Sequence, residues 1–199
     1  MESVPGRGDM FIDPLYGHTT TFLVDSRRAN LALARLIASR LSVRGASWTV
    51  LDLDALYSSG SDAVFATADE SGGAEIIVPD PGSPAEVEVA GLTGSAPERV
   101  LVIDSLNSLY HLFSSGGLGS RNMKLAFAVA LLSYIARTEK RAVFLTMYRR
   151  ERAMRFGRQK SISDLSDLTV SVNIQGASLV LRCERGSAWP GGELTLSIP

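Results

Sequence analysis

Apolar residues recur at two different spacings along the first two-thirds of the chain, and these spacings predict alternating strands and helices. Two segments, 27–41 and 121–137, repeat apolar residues at the three-to-four-residue spacing of a helix. Asp25 or Ser26 can cap the first of these helices, and Gly45 follows its end. Short apolar runs typical of buried strands occur at residues 20–25, 47–54, 100–103 and 141–147.

The last fifth of the chain alternates apolar and polar residues, as half-buried antiparallel strands do. The alternation covers residues 167–174, 177–184 and 193–198. Alternating strands and helices followed by strands alone predict an α/β fold, with a mainly parallel central sheet flanked by helices and a C-terminal antiparallel extension. We expect an irregular lead-in at residues 1–18 and one domain at 19–199.

Residues 56–97 have a weaker pattern, because three turn clusters rich in Gly, Ser, Pro and Asp divide them. The runs "AVFAT" (63–67) and "AEIIV" (74–78) predict a hairpin. The run "PAEVEVAGL" (84–92) fits a short helix or a strand equally well.

Composition and charge exclude several classes of protein. The chain has 199 residues, of which 45% are hydrophobic, and its formal net charge is -1, so no global field attracts nucleic acid or membrane. One cysteine and two histidines exclude an internal disulfide and a cysteine-rich zinc site. The sequence has neither a secretory signal nor an apolar run of about 20 residues. We therefore expect a cytoplasmic protein with no membrane contact and no metal site.

The run "VLVIDSLNSLY" places Asp104 at the carboxyl tip of a predicted buried strand. Ligands of open α/β sheets bind at such tips, where a carboxylate can hold a magnesium-bound water beside a phosphate. Alternatively, Asp104 only caps the segment that follows the strand.

The order of these elements resembles the RecA/RadA recombinase superfamily, including single-domain archaeal RadA paralogues and KaiC-like proteins. The resemblance covers most of residues 19–199. Four segments carry it: "VLVIDSLNSLY", similar to a Walker B strand; "RNMKLAFAVALLSYIAR", similar to the next helix; "RAVFLTM", similar to the next core strand; and "SDLTVSVN…SLVLRCERG", similar to the closing hairpin.

The resemblance implies a phosphate-binding loop, G-x-x-x-x-G-K-[ST], after the first strand. Here only "DSRRA" separates Val24 from Asn30, without glycine and without the Lys-Ser/Thr pair. We interpret the segment as a degenerate Walker A motif. Arg27 or Arg28 can keep a positive charge there, whereas Asp25 would repel a polyphosphate.

The other site positions implied by the resemblance match the family's residues to different degrees. Asp104 and Ser105 correspond to a vestigial Walker B motif, and Asp54 lies where the family usually has a catalytic glutamate. Aspartate is one methylene shorter than glutamate, and we favour the interpretation of Asp54 as a strand-end cap. Thr146 lies where the family often has a polar sensor, and with no γ-phosphate to sense we expect it to be structural. We therefore expect no efficient ATP hydrolysis and no cofactor.

Residues 148–160 form a basic stretch in a chain whose formal net charge is -1. Its cations are Arg149, Arg150, Arg152, Arg155, Arg158 and Lys160. Tyr148 and Phe156 are interleaved with them, and aromatic rings can stack on unpaired bases while arginines bind phosphates. In the recombinases the corresponding region leads into a DNA-binding loop. The stretch can instead form a solvated helix face or pair with acidic residues of a partner.

The sequence thus favours a non-hydrolysing accessory factor in DNA recombination or repair. We expect it to bind single-stranded DNA, a recombinase or other RecA-like protein, or a second copy of itself. Two alternatives remain: an ATPase with an atypical phosphate site built from Arg27, Arg28 and Asp104, which would use ATP and magnesium, and a KaiC-like regulatory scaffold that does not bind DNA.

Overall fold

The computed structural model describes most of the chain between residues 12 and 198. The described ranges are 12–58, 74–80, 83–94, 100–113, 117–149, 165–189 and 192–198.

Within these ranges the chain forms eight strands and four α-helices, preceded by a short 3-10 helix at Asp13–Leu15. The strands are β1 (Thr19–Val24), β2 (Trp48–Asp52), β3 (Ala74–Ile77), β4 (Val100–Asp104), β5 (Val143–Tyr148), β6 (Leu168–Gln175), β7 (Ser178–Arg185) and β8 (Glu193–Ser197). The helices are α1 (Arg27–Val43), α2 (Ala85–Thr93), α3 (Leu106–Leu112) and α4 (Leu118–Glu139).

All eight strands belong to one sheet in the order β3-β2-β4-β5-β1-β6-β7-β8. The pairs from β3 to β6 are parallel, and β6, β7 and β8 pair antiparallel. This arrangement confirms the predicted α/β fold with a C-terminal antiparallel extension. The parallel pairing also brings the carboxyl ends of β1, β2, β4 and β5 to the same edge of the sheet.

Two apolar cores lie on opposite faces of the sheet. One contains the buried side of α1, including Leu33 and Ile37, and the edge-to-face pair Phe22–Phe144, whose ring centroids are 5.7 Å apart. The other contains the buried side chains of α2, α3 and α4. None of the helices in the described ranges has the combination of length and apolarity that crossing a bilayer requires.

The end of the lead-in packs into the first core. Ile12 and Leu15 are fully buried there, and the backbone N–H of Gly17 donates to the carbonyl of Arg141 at 3.1 Å. The apolar residues of this segment therefore contact the domain itself.

Within the region whose sequence pattern is weak, the structure describes one strand, β3, and one helix, α2. The run at 74–78 forms β3, which pairs parallel with β2, while the other half of the predicted hairpin, 63–67, lies outside the described residues. The ambiguous run at 84–92 is helical and forms α2, with Pro84 at its N-cap. Proline favours a helix start because its missing N–H would have no helical partner there.

Gly186 provides a test of the packing where β7 ends against the start of β6. Its φ is +108°, and a Cβ added there would lie 2.5 Å from Leu168 Cδ2 and 2.9 Å from the Asp167 carbonyl oxygen. We predict that Gly186→Ala lowers the free energy of unfolding by about 3 kcal/mol, from backbone strain and overlap together. Urea denaturation measures the change.

Gly192→Ala is the matched control, because a Cβ at Gly192 meets no atom within 4 Å. We expect it to change stability by less than about 0.5 kcal/mol. Equal effects of the two substitutions would contradict the packing described at Gly186.

Candidate functional site

A cavity of about 570 Å³ opens at the carboxyl edge of the parallel strands. Its walls come from the segments that follow β1, β2 and β4 and from the last residue of β5. The lining residues are Asp25, Ser26, Arg27, Asp54, Leu56, Asn107 and Tyr148. This edge is where open α/β sheets bind their ligands.

The connection between β1 and α1 consists of Asp25 and Ser26 only. Ser26 has extended backbone angles, and its hydroxyl oxygen accepts a hydrogen bond from the Ala29 backbone N–H at 3.1 Å. This hydrogen bond confirms the predicted N-cap and occupies the Ser26 side chain. Arg27 lines the cavity, whereas Arg28 is exposed and is absent from the described lining.

Asp104 ends β4 and is fully buried. Its Oδ1 accepts hydrogen bonds from Asn30 Nδ2 at 2.8 Å and from Thr146 Oγ1. Its Oδ2 is buried without a hydrogen-bond partner among the described residues. The carboxyl group therefore joins α1, β4 and β5 through one of its two oxygens.

Burial raises the pKa of the Asp104 carboxyl from its ordinary 3.8 to about 6. The hydrogen bonds from Thr146 and Asn30 oppose this rise, because they stabilise the ionised form. The neighbouring carboxylates of Asp54 and Asp52 add to it by repulsion. Burial away from water is thus the largest contribution to the pKa of Asp104, and it stabilises the neutral acid relative to the ionised form.

Asn30 is fully buried in the first turns of α1, and sequence reasoning did not assign it a role. Its side-chain amide donates to Asp104 and also to the Tyr148 hydroxyl at 3.2 Å. The sequence signal that could have identified Asn30 was its position, because it is the one polar residue among the buried residues of α1, which are otherwise Ala, Leu and Ile.

Asp52, rather than Asp54, terminates its strand. Its carboxylate accepts backbone hydrogen bonds from Leu56 at 2.8 Å, Tyr57 at 3.1 Å and Ser58 at 2.8 Å. The predicted strand 47–54 therefore ends at residue 52, and the interpretation of Asp54 as a strand-end cap is wrong.

Asp54 instead lies on the cavity wall, where its carboxylate accepts a hydrogen bond from the Ser108 hydroxyl. The backbone N–H groups of Leu53 and Asp54 donate to the Asp104 carbonyl at 2.7 and 3.2 Å. Ser105 is the N-cap of α3, and its hydroxyl accepts from the Ser108 N–H at 3.4 Å. Capping after β4 thus falls to Ser105 and not to Asp104.

Tyr148 closes the cavity on the side of β5. Its backbone N–H donates to Asn107 Oδ1 at 2.8 Å, and its phenol accepts from Asn30. Burial raises the pKa of this phenol, which is half-buried and lines the cavity. Asn107, in α3, is a second residue that sequence reasoning missed, because its partner Tyr148 lies far away in the sequence, in β5.

Arg149 is the first cation of the basic stretch and the last residue described there. Its backbone N–H donates to the Val24 carbonyl at 2.8 Å, and its guanidinium pairs with Glu184 and lies 3.8 Å from Asp25. Its charge is therefore offset by two carboxylates. The other predicted nucleic-acid contacts lie outside the described residues: Arg150, Arg152, Arg155, Phe156, Arg158 and Lys160.

The strand order and the cavity at the carboxyl edge define an α/β protein whose candidate binding site lies at the carboxyl ends of its parallel strands. The sequence matches no protein-family model and no curated protein. Among solved structures, it is similar to the crystal structure of the RadB recombinase, with a TM-score of 0.64 and 14% sequence identity. The match covers 93% of this chain and 89% of that chain. At this identity the similarity establishes the fold, and the chain has a RecA-like fold.

The raised pKa of Asp104 predicts a pH-dependent stability. Folding favours the protonated carboxyl, so its stabilising contribution is complete below the ordinary pKa of 3.8 and is lost as pH rises through about 6. Asp104→Asn cannot ionise and keeps an oxygen that accepts hydrogen bonds. Between about pH 4 and about pH 8 we expect the wild type to lose about 2.4 kcal/mol relative to this variant.

Urea denaturation at a series of pH values measures the difference, with Asp80→Asn, at an exposed position after β3, as the matched control. Parallel pH curves for the wild type and Asp104→Asn would show that Asp104 is ionised in the folded protein at all these pH values.

Proposed function

We propose that this chain is a RecA-fold accessory factor in DNA recombination or repair that does not hydrolyse ATP. It binds single-stranded DNA, a recombinase or another RecA-like protein. The similarity to the RadB recombinase supports the connection with recombination. The two-residue connection between β1 and α1 is the observation on which the absence of hydrolysis rests.

The residues at the cavity do not fit a magnesium-bound triphosphate. A phosphate-binding loop needs about eight residues, with glycines that turn backbone N–H groups toward the phosphates. Here the strand passes into the helix through Asp25 and Ser26, and the Ser26 hydroxyl caps the helix. We infer that the Walker A motif is degenerate and that Arg27 is a remaining positive charge at this edge.

Asp104 and Asp54 are equally unsuited to support hydrolysis. One oxygen of Asp104 is occupied by hydrogen bonds from Asn30 and Thr146, and the carboxyl is fully buried beneath the cavity edge, so a cation would have to displace these partners to reach it. Asp54 has a shorter side chain than glutamate and accepts a hydrogen bond from Ser108. We infer that both are vestigial catalytic positions.

Nucleotide binding is tested by thermal unfolding with and without millimolar Mg-ATP. We expect no change in Tm and no phosphate release. A site with a Kd near 10 μM would stabilise the protein by about 2.7 kcal/mol at about 1 mM ligand and raise Tm by several degrees.

Arg27→Ala separates the alternatives, because Arg27 is the arginine in the described cavity lining. A Tm increase with Mg-ATP in the wild type that disappears in Arg27→Ala would replace this proposal with the ATPase that has an atypical phosphate site.

DNA binding is proposed for the basic stretch at residues 148–160, of which the described residues Tyr148 and Arg149 lie at the carboxyl edge of the sheet. We expect Arg150→Ala/Arg152→Ala/Arg155→Ala to weaken binding of a labelled single-stranded oligonucleotide at least tenfold. It should also lower the slope of log affinity against log salt by about 0.7 for each phosphate that the variant no longer neutralises. Fluorescence anisotropy across a salt series measures both quantities.

Arg149→Ala is the matched control within the same stretch. Its guanidinium already pairs with Glu184 and lies near Asp25, so we expect a smaller effect than from the triple variant. Affinity that depends neither on salt nor on the triple substitution would exclude this stretch as the DNA-binding surface.

A further inference from the structure

The outward face of α4 carries an unusual row of apolar side chains. Met123 is 70% exposed, Phe127 68% and Tyr134 64%. The opposite side of the same helix packs into the second core through Leu125, Val129 and Leu132. A helix that is apolar on both sides is typical of a buried position, so the sequence of its outer side is suited to packing against another surface.

The spacing of this row is that of a coiled-coil seam. Between residues 121 and 137 the exposed positions are 123, 127, 130, 134 and 137, which gives steps of four, three, four and three. Ala130 and Arg137 complete the sequence Met-Phe-Ala-Tyr-Arg. Such steps place side chains on one line that faces a neighbouring helix. We call residues 123, 127, 130 and 134 the α4 seam.

We propose that the α4 seam pairs antiparallel with the α4 seam of a second copy of this chain. A two-fold axis between residues 128 and 129 brings Met123 opposite Tyr134 and Phe127 opposite Ala130, so each larger side chain meets a smaller one. A parallel pair would instead place Phe127 against Phe127 and leave Ala130 opposite Ala130, with a gap between them. The seam is therefore self-complementary, as a two-fold interface requires.

Charge also favours a second copy over a nucleic acid. The α4 seam carries no charged residue, and the first exposed charge on its line is Arg137, which pairs with Asp167. Contacts to phosphates would need cations along the surface. This proposal is independent of the proposed function, because it uses neither the cavity at the carboxyl edge nor the basic stretch.

An apolar cavity beside the α4 seam enlarges the contact surface. It has a volume of about 140 Å³, lies between α2 and α4, and is lined by Val89, Phe113 and Leu131. Phe127 stands at its wall, and the ion pair between Lys124 and Glu86, 2.7 Å apart, borders it. A side chain of the second copy that projects past Phe127 would find apolar surface here.

The apolar area exposed on the α4 seam determines how strong the proposed dimer can be. Large side chains have about 150–250 Å² each to bury, and about two-thirds of each of the three large members of the seam is exposed, so together they offer on the order of 400 Å² per copy. Stable complexes bury about 800 Å² per partner. The dimer is therefore weak and reversible, with a Kd in the micromolar range or above (about 1–100 μM).

Sedimentation velocity of the full chain from about 1 μM to about 1 mM tests the dimer. The wild type should shift from one chain to two with increasing concentration, and Phe127→Glu and Ala130→Glu should stay monomeric at least tenfold further up the series. Both positions are exposed, and circular dichroism should report an unchanged fold. Val43→Glu is the matched control, since Val43 is 80% exposed at the end of α1 and away from the seam.

Disulfide trapping tests the orientation. In a Cys183→Ser background, Met123→Cys protein mixed with Tyr134→Cys protein should form the mixed disulfide faster than either forms its own. A wild type that is monomeric throughout, or a dimer that persists in both glutamate variants, overturns the proposal. Faster self-pairing of Met123→Cys overturns the antiparallel arrangement.

Discussion

A buried carboxyl group holds the functional edge of this sheet together. Asp104 ends β4, and hydrogen bonds from Asn30 and Thr146 tie the start of α1 and the end of β5 to it. Such bonds to a buried group contribute about 1 kcal/mol each, and removing one partner costs more, because a polar atom then stays unsatisfied away from water. The positions of three elements therefore depend on the same few atoms.

This hydrogen-bonded group and the tight connection after β1 belong to one arrangement. The helix begins directly after Asp25 and Ser26, so Asn30 falls in its first turns and reaches Asp104. This sheet thus has a cavity at its carboxyl edge, where Asn30 and Thr146 of the chain itself donate to Asp104 Oδ1, while Asp104 Oδ2 and Asn30 Oδ1 stay buried without a hydrogen-bond partner among the described residues. Our proposal of a protein that works by binding, without hydrolysis, follows from that internal pairing.

Local pattern predicted those elements whose burial follows from local sequence. The apolar runs of β1 and β4 are buried throughout as predicted, and β8 alternates as predicted, whereas β6 is buried on both faces from Leu168 to Val172, contrary to the half-buried strand that its alternation indicated. The cap at Ser26 was equally local, because donor and acceptor are three residues apart. In α2 the run Glu-Val-Glu-Val alternates as a strand does, whereas Ala85, Val89 and Leu92 have the spacing of a helix, so only the surroundings could decide for a helix.

The site, by contrast, depended on pairings that no local pattern contains. Asn30 and Asp104 are 74 residues apart in sequence, and Asn107 and Tyr148 are 41 apart. In "VLDLD" either aspartate can end the strand, and the choice of Asp52 depends on three backbone N–H groups of the following turn. Sequence reasoning therefore pointed to the edge of the sheet where the cavity lies, but it missed Asn30 and Asn107 and did not identify Asp52 as the end of its strand.

The length of the β1–α1 connection also limits how this protein can change. A codon replacement can restore a glycine or a lysine, but it cannot lengthen a connection of two residues to the about eight of a phosphate-binding motif. Only an in-frame insertion would do so, and each intermediate would displace Asn30 from Asp104. Substitutions alone therefore cannot convert this connection into a phosphate-binding loop, and a chain of the same fold that has such a loop must differ from this one by an insertion or deletion.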